Sequence, residues 1–338
     1  MVTIRDVAKQ AGVSIKTVSR VVNNQSEVSP STRKKVQQVI SDLNYHPNSN
    51  ARSLVNGRTN TIGIVIPNDA TYIFSHPFFV EVFRGIAEVL SAYQYDLLLN
   101  LAYGKGPYCK LYSQRKVDGL ILMSIPMGDP GIKGLNESGA PYVCACRLWD
   151  TGESDINFVD ADFEGGVGRA MDHLISLGHR RIALLTGTRN LVSVKLRKQG
   201  YIKALEKYDI PVIEDYVLAG EFTSESGHKL ASQIMQLPSP PSALVCGDDM
   251  MAFGAIKAVT ELGYHVPEDI SVIGFDDISL AQFSKPPLTT IRQDTYQKGQ
   301  IVAKTLLALI WNGNDADASY KQIIIDTPLI VRASTAPA

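Results

Sequence analysis

Apolar residues recur every three or four positions between residues 3 and 43, which is typical of short helices that bury one face. The predicted buried faces are Ile4, Val7, Ala8 and Ala11, then Val18, Val21 and Val22, then Val36, Val39, Ile40 and Leu43. Thr3 and Asp6 have the spacing of a capping box, Gly12 ends the first helix, and Ser14 and Ser29 are placed to cap the next two. Three short helices with a glycine in the first turn predict a helix-turn-helix unit.

The pattern changes after residue 60 to short apolar runs separated by helix-length amphipathic segments. The predicted strands are TIGIVIP, YDLLLNLA, DGLILMS, PYVCACR, RRIALLTG, SALVCGDD and DISVIGFDD, and the clearest helices are FFVEVFRGIAEVLSAYQ and FGAIKAVTELG. Strands that are apolar on both faces indicate parallel sheets covered by helices. This many units exceeds one typical sheet, so the body is predicted to form two doubly wound lobes.

Composition indicates a folded protein with an uneven distribution of charge. The 338 residues are 45% hydrophobic and 20% charged, with a net charge of −1. Residues 1–60 carry nine Lys and Arg against three acidic residues, a net charge of +6, so the remainder carries −7. A basic head on an acidic body predicts that the head binds a polyanion.

The outer face of the second helix supplies the chemistry for reading DNA. In a helix-turn-helix unit this helix enters the major groove, and its outer face carries Ile15, Lys16, Ser19 and Arg20. The Arg20 fork suits guanine O6 and N7, Lys16 can donate to the same atoms, and Ile15 can contact a thymine methyl. The sequence therefore predicts base-specific recognition by this face.

Small hydroxyl side chains near the helix starts are predicted to hold phosphates. These are Ser14, Thr17, Ser29 and Thr32. Ordinary helix capping accounts for the same residues, and for Ser29 the two interpretations are nearly equal.

Several motifs resemble the LacI/GalR family of bacterial transcription regulators. The head carries TIRDVAKQAGVSIKTVSRVVNN and VSPSTRKKVQQVISDLNYHPNSNARSL, and the body carries RRIALLTG, RKQGY, VPEDISVIGFDD, PPLTTIRQD and LIVRAST in order. The resemblance implies an N-terminal all-α helix-turn-helix head and a two-lobed α/β body like a type I periplasmic binding protein, with three crossovers between the lobes. The expected domains are 1–46 for the head, 47–60 for a hinge helix and linker, and 61–338 for effector binding and dimerisation. Lobe 1 is expected at about 61–161 and 291–320, and lobe 2 at about 162–290 and 321–338.

The segment YHPNSNARSLVNG predicts a helix of about two turns, too short to persist alone in water. The resemblance identifies it as a hinge helix that orders on operator DNA, pairs with its two-fold mate and inserts Leu54 into the minor groove, with Asn48 and Ala51 as further contacts. From the residues alone, Leu54 could equally be a linker residue that docks on the body.

Polar residues at predicted strand ends mark a ligand cleft between the lobes. Arg147, Asp248 and Asp276 can donate to and accept from sugar hydroxyls while aromatic rings cover the C–H face. The resemblance adds Ser193, Arg197 and Phe222 as effector contacts, and Phe74 from the first lobe. Asp249 and Asp277 are expected to be helix N-caps.

Three positions differ from the usual family pattern. Asp248 stands where Asn is usual, Cys146 where Asp often precedes Arg147, and Phe163 where a polar residue often follows Asp162. A thiol in place of a carboxylate removes an acceptor, whereas Asp248 adds one. The ligand contacts are therefore expected to be rearranged.

The sequence discriminates between a DNA-binding regulator, an enzyme and a secreted binding protein. An enzyme would be indicated by a nucleophile elbow, a phosphate-binding loop or metal-spaced histidines, and none of these motifs occurs. The four cysteines have no C-x-x-C spacing, so no metal or cofactor is predicted. A secreted binding protein would need a signal peptide and would have no use for a basic head. The chain begins MVTIRD, which lacks the charged and then apolar run of a signal peptide.

The sequence therefore favours a cytoplasmic repressor of carbohydrate-use genes that is controlled by a small sugar-like effector, with no membrane association. It is expected to bind double-stranded DNA at a pseudo-palindromic operator as a homodimer, with a tetramer left open. The alternative is a global regulator of the same family that responds to a phosphoprotein or a non-sugar corepressor. Whether the effector induces or corepresses stays open.

Overall fold

The computed structural model describes residues 2–22, 25–46, 57–101, 108–148, 156–312 and 321–338. The chain divides after Asn60 into two compact units. The predicted DNA contacts Asn48, Ala51 and Leu54, with most of the proposed hinge segment, lie outside the described residues.

The first unit contains three helices, which are α1 (Ile4–Ala11), α2 (Ile15–Val22) and α3 (Pro30–Asp42). Their ends have the predicted caps. The Thr3 backbone N–H donates to the Asp6 carboxylate at 2.9 Å, and Gly12 adopts a left-handed φ of 62° that a side chain would strain. The Ser14 hydroxyl accepts from the Thr17 N–H at 3.1 Å.

The core of this small unit comes from the predicted apolar faces. Its buried residues are Val7, Ala8, Ala11, Val18, Val21, Val36, Val39 and Tyr45. Val22, Ile40 and Leu43 pack against them and stay partly accessible. With the inner face of α2 used for packing, its outer face is left to solvent.

The second unit contains two six-stranded sheets. The first has the order β11-β5-β4-β3-β1-β2 and the second β12-β10-β9-β8-β6-β7. The strands of the first sheet are β1 (Thr61–Val65), β2 (Asp96–Asn100), β3 (Gly119–Leu122), β4 (Tyr142–Cys144), β5 (Phe158–Ala161) and β11 (Gln322–Ile325). Those of the second are β6 (Ile182–Thr186), β7 (Val217–Ala219), β8 (Ala243–Cys246), β9 (Ser271–Asp276), β10 (Thr289–Arg292) and β12 (Leu329–Ile330).

The helices of this unit cover both sheets. They are α4 (Ala70–Ser75), α5 (Pro77–Ala92), α6 (Cys109–Ser113), α7 (Gly131–Ser138), α8 (Phe163–Ser176), α9 (Val192–Lys207), α10 (Ser224–Ile234), α11 (Asp249–Glu261) and α12 (Thr295–Asn312), with 3₁₀ turns at Glu214–Tyr216 and Ser279–Gln282. Helix α5 packs against α12, α8 against α9, and α10 against α11. No helix within the described segments is both long and apolar enough to cross a membrane.

All pairs in the first sheet are parallel, as predicted, and the second sheet is parallel except for β12, which runs antiparallel to β10. The chain passes between the sheets after β5, after β10 and after β11. The expectation that residues 321–338 belong to lobe 2 is wrong at its start, because β11 pairs with β5 in the first sheet. The run QIIIDTPLI contains two strands that belong to different sheets, and Pro328 stands between them.

Two glycines let α10 and α11 approach each other at backbone distance. A Cβ built on Gly254 would lie 1.9 Å from the Ser224 carbonyl oxygen, and one on Gly227 would lie 2.1 Å from that of Met251. The neighbouring atoms are backbone, so a side chain there has to push the two helices apart.

We therefore expect Gly254→Ala to lower the free energy of unfolding by about 1–3 kcal/mol, the usual cost of overpacking a core. Gly168→Ala is the matched control, because Gly168 also lies within a helix but has nothing within 4 Å of a built Cβ. Its higher helix propensity should raise stability by about 0.5–1 kcal/mol. Urea unfolding of both variants measures the difference, and equal effects would contradict the close-packing explanation.

Candidate functional site

The outer face of α2 presents an unusual mixture of side chains to solvent. Ser14, Ile15 and Lys16 are exposed, and Thr17, Ser19 and Arg20 are half-buried beside them. Ile15 is 46% exposed and is therefore available for an apolar contact. The arrangement offers cationic donors and one apolar contact on a helix of two turns.

Arg20 has a partner that the sequence analysis missed. Its Nη2 lies 2.6 Å from the Glu27 carboxylate, which stands in the segment between α2 and α3. Both side chains reach solvent, so the ion pair contributes little stability. A base edge would have to replace Glu27 as the acceptor for this guanidinium.

The hydroxyl side chains of the head are engaged in helix capping. Ser29 accepts from the Thr32 N–H at 3.3 Å and donates to the Thr32 hydroxyl at 2.9 Å. The Ser14 and Thr17 hydroxyls lie 2.9 Å apart. Capping places these groups at two helix starts, and phosphate contact by them stays a prediction.

In the second unit, a cleft of about 390 Å³ lies where the strands of both sheets end. Aromatic rings line much of its wall, and charged groups reach it from α9, β9 and the start of α11. The lining includes Tyr72, His76, Phe78, Phe163, Ser193, Arg197, Phe222, Asp248, Asp276 and Gln293.

Arg197 lies on α9 and is only 4% exposed. Its guanidinium carbon sits 4.3 Å from the ring centroids of both Phe163 and Phe275, so the two rings clamp the cation. Its Nε has no hydrogen-bond partner among the described residues. Burial lowers the pKa of this guanidinium, and the Asp276 and Asp248 carboxylates oppose that effect.

Asp276 ends β9 with a positive φ of 106°, in a region that non-glycine residues rarely occupy. One carboxylate oxygen accepts from the Gln293 amide at 2.9 Å. Burial raises the pKa of Asp276 to about 6, with Arg197 pulling it down and Asp248 pushing it up. Strained backbone and a raised pKa at the mouth of a cleft are features of functional sites.

Asp248 connects the two lobes through His76. One oxygen of Asp248 accepts from the Met251 N–H at 2.7 Å and caps α11, and the other lies 2.8 Å from His76 Nε2. The Phe78 N–H donates to His76 Nδ1 at 3.3 Å, so Nε2 carries the hydrogen that Asp248 accepts. Both carboxylate oxygens are thus occupied, and the acceptor that the sequence adds at this position is used by the protein itself.

His76, Asp248 and Asp276 place one ligand atom each within 4.8 Å of one another, a spacing that could hold a cation. The His76 nitrogen that faces the two carboxylates already donates to Asp248, and the Arg197 cation acts on both acids. The arrangement therefore suits hydrogen bonding to a ligand better than metal binding.

The expected N-capping roles of Asp249 and Asp277 are wrong. The buried Asp249 carboxylate accepts from the Ile278 N–H at 2.8 Å and from the Thr290 hydroxyl, and Asp248 is the N-cap instead. Asp277 pairs with Arg292 at 2.7 Å and Arg332 at 2.5 Å. Both residues hold neighbouring segments together, and neither lines the cleft.

The remaining predicted effector residues divide between the cleft and its surroundings. Ser193 and Phe222 line the cleft, and Arg147 lies in an adjoining annex. The Phe74 side chain is 63% exposed and lines a neighbouring groove, which shares Phe78, Asp276 and Gln293 with the cleft, rather than the cleft itself. Successive helical residues are rotated by about 100°, so α4 turns Tyr72 inward and Phe74 outward.

Sequence reasoning missed Tyr72, His76, Phe78, Phe163 and Gln293 as lining residues. The run FSHPFF contains more aromatic rings than one buried helical stripe needs, and this surplus was the available signal. Gln293 gave no signal, since its position depends on the crossover after β10.

Comparisons with known proteins place the chain in a family. A model of the bacterial regulatory proteins of the lacI family matches residues 3–48, and a model of the periplasmic binding protein-like domain matches residues 171–335. Catabolite control protein A of Priestia megaterium is 35% identical over 327 residues, covering 95% of this chain and 96% of the relative. The chain belongs to the LacI family of bacterial regulatory proteins.

Two solved structures of the LacI family match the whole fold. A complex of the transcriptional regulator CelR with cellobiose aligns with a TM-score of 0.77 at 32% identity, covering 99% of this chain and 100% of the other. The lac repressor dimer bound to operator and the anti-inducer ONPF aligns with a TM-score of 0.86 at 30% identity, covering 99% of each chain. This LacI-family protein is a sequence-specific DNA-binding transcription regulator and not an enzyme.

Because the pKa of Asp276 is raised in the folded protein, the stability of this LacI-family regulator should depend on pH. Ionised Asp276 destabilises the folded state. This destabilisation is absent below about pH 4, grows between about pH 4 and 6, and is constant above about pH 6. Asp276→Asn should therefore raise the free energy of unfolding near pH 7 by about 1–3 kcal/mol, and the gain should vanish near pH 4.

Chemical denaturation across this pH range checks the prediction, with the exposed Asp209→Asn as the control variant. A stability gain that does not change with pH would mean that the buried charge of Asp276 is not its source.

Proposed function

We propose that this regulator represses carbohydrate-use genes in the cytoplasm and is controlled by a sugar-like effector bound in the cleft. Residues 1–46 read the operator, residues 47–60 form a hinge, and residues 61–338 bind effector and dimerise. Two heads of a homodimer contact the two halves of a pseudo-palindromic site.

The observation that carries the effector assignment is that the buried Arg197 guanidinium and the Asp276 carboxylate both line the cleft and interact electrostatically. Aromatic rings make up much of the remaining wall. Vicinal hydroxyls can donate to the carboxylate and accept from the guanidinium, and aromatic rings cover the C–H face of a sugar. A sugar therefore satisfies both the polar and the apolar parts of this cleft.

The relatives support the same assignment. The CelR structure contains cellobiose, and the lac repressor structure is a dimer on its operator. Both align over nearly the whole of this chain.

An exposed apolar surface on the second unit supports dimerisation. Leu280 and Phe283 are 50% and 73% exposed, and they border a groove with Phe253 and Ile256 of α11. Large apolar side chains that cluster at a surface mark protein interfaces. A second copy of the chain is the partner that a homodimer supplies.

Effector binding can alter operator affinity only through a difference in its affinity for two conformations. Groups from both lobes meet in the cleft, and His76 with Asp248 is one such contact. A ligand bound between the lobes changes their preferred separation, and residues 47–60 connect the body to the head.

The effector assignment is tested with Arg197→Met, which keeps an unbranched apolar stem but removes the charge. We expect operator affinity without effector to be unchanged and the effector response to be lost, with effector affinity reduced by about 10–100-fold. Lys203→Met on the same helix is the control, since its amine faces Glu164 at the surface. Operator-binding titrations with a panel of mono- and disaccharides provide the measurement.

A sugar response that survives in Arg197→Met would place the site elsewhere. If no sugar changes operator affinity in the natural protein, the sugar assignment fails, and the family alternative of a phosphoprotein or non-sugar corepressor replaces it.

The DNA-reading face is tested by binding-site selection with the double variant Ile15→Ala, Lys16→Ala. Side chains that contact base edges discriminate by about 1–3 kcal/mol per good contact, so the selected half-site should change at the contacted positions. Lys34→Ala on α3 is the comparison. If Lys34 contacts a phosphate, its removal weakens all sequences alike and lowers the salt slope by about one. An unchanged consensus from the double variant would contradict base reading by α2.

A further inference from the structure

A small annex extends from the main cleft between Phe163 and the ends of β3 and β4. Its volume is about 70 Å³, and it shares Ser124 and Ser193 with the main cleft. The charged residues on its wall are Arg147, Asp160 and Lys298. None of these three lines the sugar part of the cleft, so they need a separate explanation.

Lys298 is an unusual residue for a wall of this kind. It lies in the first half of α12 and is 2% exposed, whereas lysine is almost never fully buried without a partner. Its Nζ donates to one oxygen of Asp160 at 3.1 Å and to the Gln293 side-chain oxygen at 3.3 Å. An ammonium group has three hydrogens, and these two bonds use two of them.

Arg147 contacts the other oxygen of Asp160. Its backbone N–H and its Nε donate to that oxygen at 3.0 and 3.3 Å, and its Nη2 donates to the Ala161 carbonyl at 3.1 Å. Both oxygens of Asp160 therefore already accept hydrogen bonds from the two cations.

The charges of the annex do not balance. Among the described residues, two cationic side chains line the annex with one carboxylate, which leaves one positive charge without a counterion there. Cys146, also on the wall, adds no negative charge, because burial raises the pKa of its thiol to about 11. The neighbouring Ser193 contributes a hydroxyl rather than an acid. Lys298 and Asp160 are buried and the Arg147 side chain is 26% exposed, so the surplus charge is only partly hydrated and gains from a counterion.

We propose that the effector is an acidic sugar whose carboxylate enters the annex and binds Lys298 and Arg147. This rests on the proposed function, in which the cleft holds a sugar against Arg197 and Asp276. The carboxylate supplies the missing counterion and accepts the third hydrogen of the Lys298 amine. Ser193, at the junction of annex and cleft, donates to the same group or to a hydroxyl beside it.

A carboxylate fits the annex better than a phosphate does. One carboxylate carries a single negative charge, which matches the surplus, whereas a phosphate monoester carries about −1.5 to −2 near pH 7. A phosphate also presents three strong acceptor oxygens, whereas the Lys298 amine has one hydrogen left to donate.

Calorimetric titration of the full chain with matched ligand pairs tests the class of effector. D-glucuronate is compared with D-glucose and D-galacturonate with D-galactose, because each pair differs only in a carboxylate against a hydroxymethyl group. We expect at least one acid to bind about 10–100-fold more tightly than its neutral partner, as a charge-assisted contact predicts. Glucose 6-phosphate is the third arm and should bind more weakly than glucuronate.

The outcomes separate this proposal from the one on which it rests. Neutral sugars that bind as tightly as the acids overturn the acidic effector and leave sugar control intact. Tighter binding of glucose 6-phosphate replaces carboxylate by phosphate and also overturns it. If no acid and no neutral sugar binds, both proposals fail.

Two variants test whether charge is the cause. Lys298→Met leaves Arg147 and Asp160 balanced, so it should reduce the affinity for the acid about tenfold or more relative to the affinity for the matched neutral sugar. The double variant Lys298→Met, Asp160→Asn restores one surplus positive charge on Arg147 and should recover much of the preference for the acid. A role of Lys298 in shape alone predicts no such recovery.

Lys304→Met is the control, since Lys304 is exposed on the same helix. Operator affinity without effector shows that each variant is folded. If the single variant unfolds because Asp160 loses a partner, the double variant, which removes both members of that pair, still gives a decisive result. Loss of the acid preference in the folded double variant would overturn the assignment.

Discussion

The buried guanidinium of Arg197 is the constraint on which the ligand cleft depends. A charge removed from water is costly unless it is paired or hydrogen-bonded. Contacts with the rings of Phe163 and Phe275, together with the nearby Asp276 and Asp248 carboxylates, offset part of the desolvation cost of Arg197. The protein does not supply a hydrogen-bond acceptor for Nε within the described residues. The Arg197 cation therefore keeps one unsatisfied donor in the folded protein.

Much of this architecture could be predicted from local sequence. The three head helices follow from apolar spacing and capping residues, and the seven predicted apolar runs in the body all contain strands. The edge strands β7 and β12 were missed because they have only three and two residues. Strand β10 was missed because threonine fills two of its four positions, and β11 was overlooked although its run QIII is apolar. Strand β5 was missed because Asp160 interrupts an otherwise apolar run.

The cleft was less accessible to prediction, because its key contacts join distant parts of the chain. Family motifs pointed to Arg197, Asp276, Ser193 and Phe222, which all line it. The bond between His76 and Asp248 spans 172 residues, and no local pattern signals it. From sequence, a lysine on a long helix is interpreted as a surface residue. Lys298 is buried because α12 packs against the first sheet. Tyr72 lines the cleft where Phe74 was predicted to do so, and the choice depends on which face of the six-residue helix α4 turns inward.

Glu27 and a DNA base edge are alternative acceptors for the Arg20 guanidinium, so the head carries its own competitor for DNA. On a site without a suitable acceptor, the guanidinium keeps its carboxylate, so a wrong base loses a contact but does not leave a bare cation. If Arg20 contacts guanine as predicted from the sequence, a bidentate contact worth about 1–3 kcal/mol would displace an exposed ion pair worth about 1 kcal/mol or less on the right site. The free-energy difference between right and wrong sites then equals the difference between Arg20 bonded to guanine and Arg20 bonded to Glu27. With this contact, Glu27 slightly lowers the affinity for the correct operator. It also lowers the free-energy cost of dissociating from DNA sites that nearly match the operator.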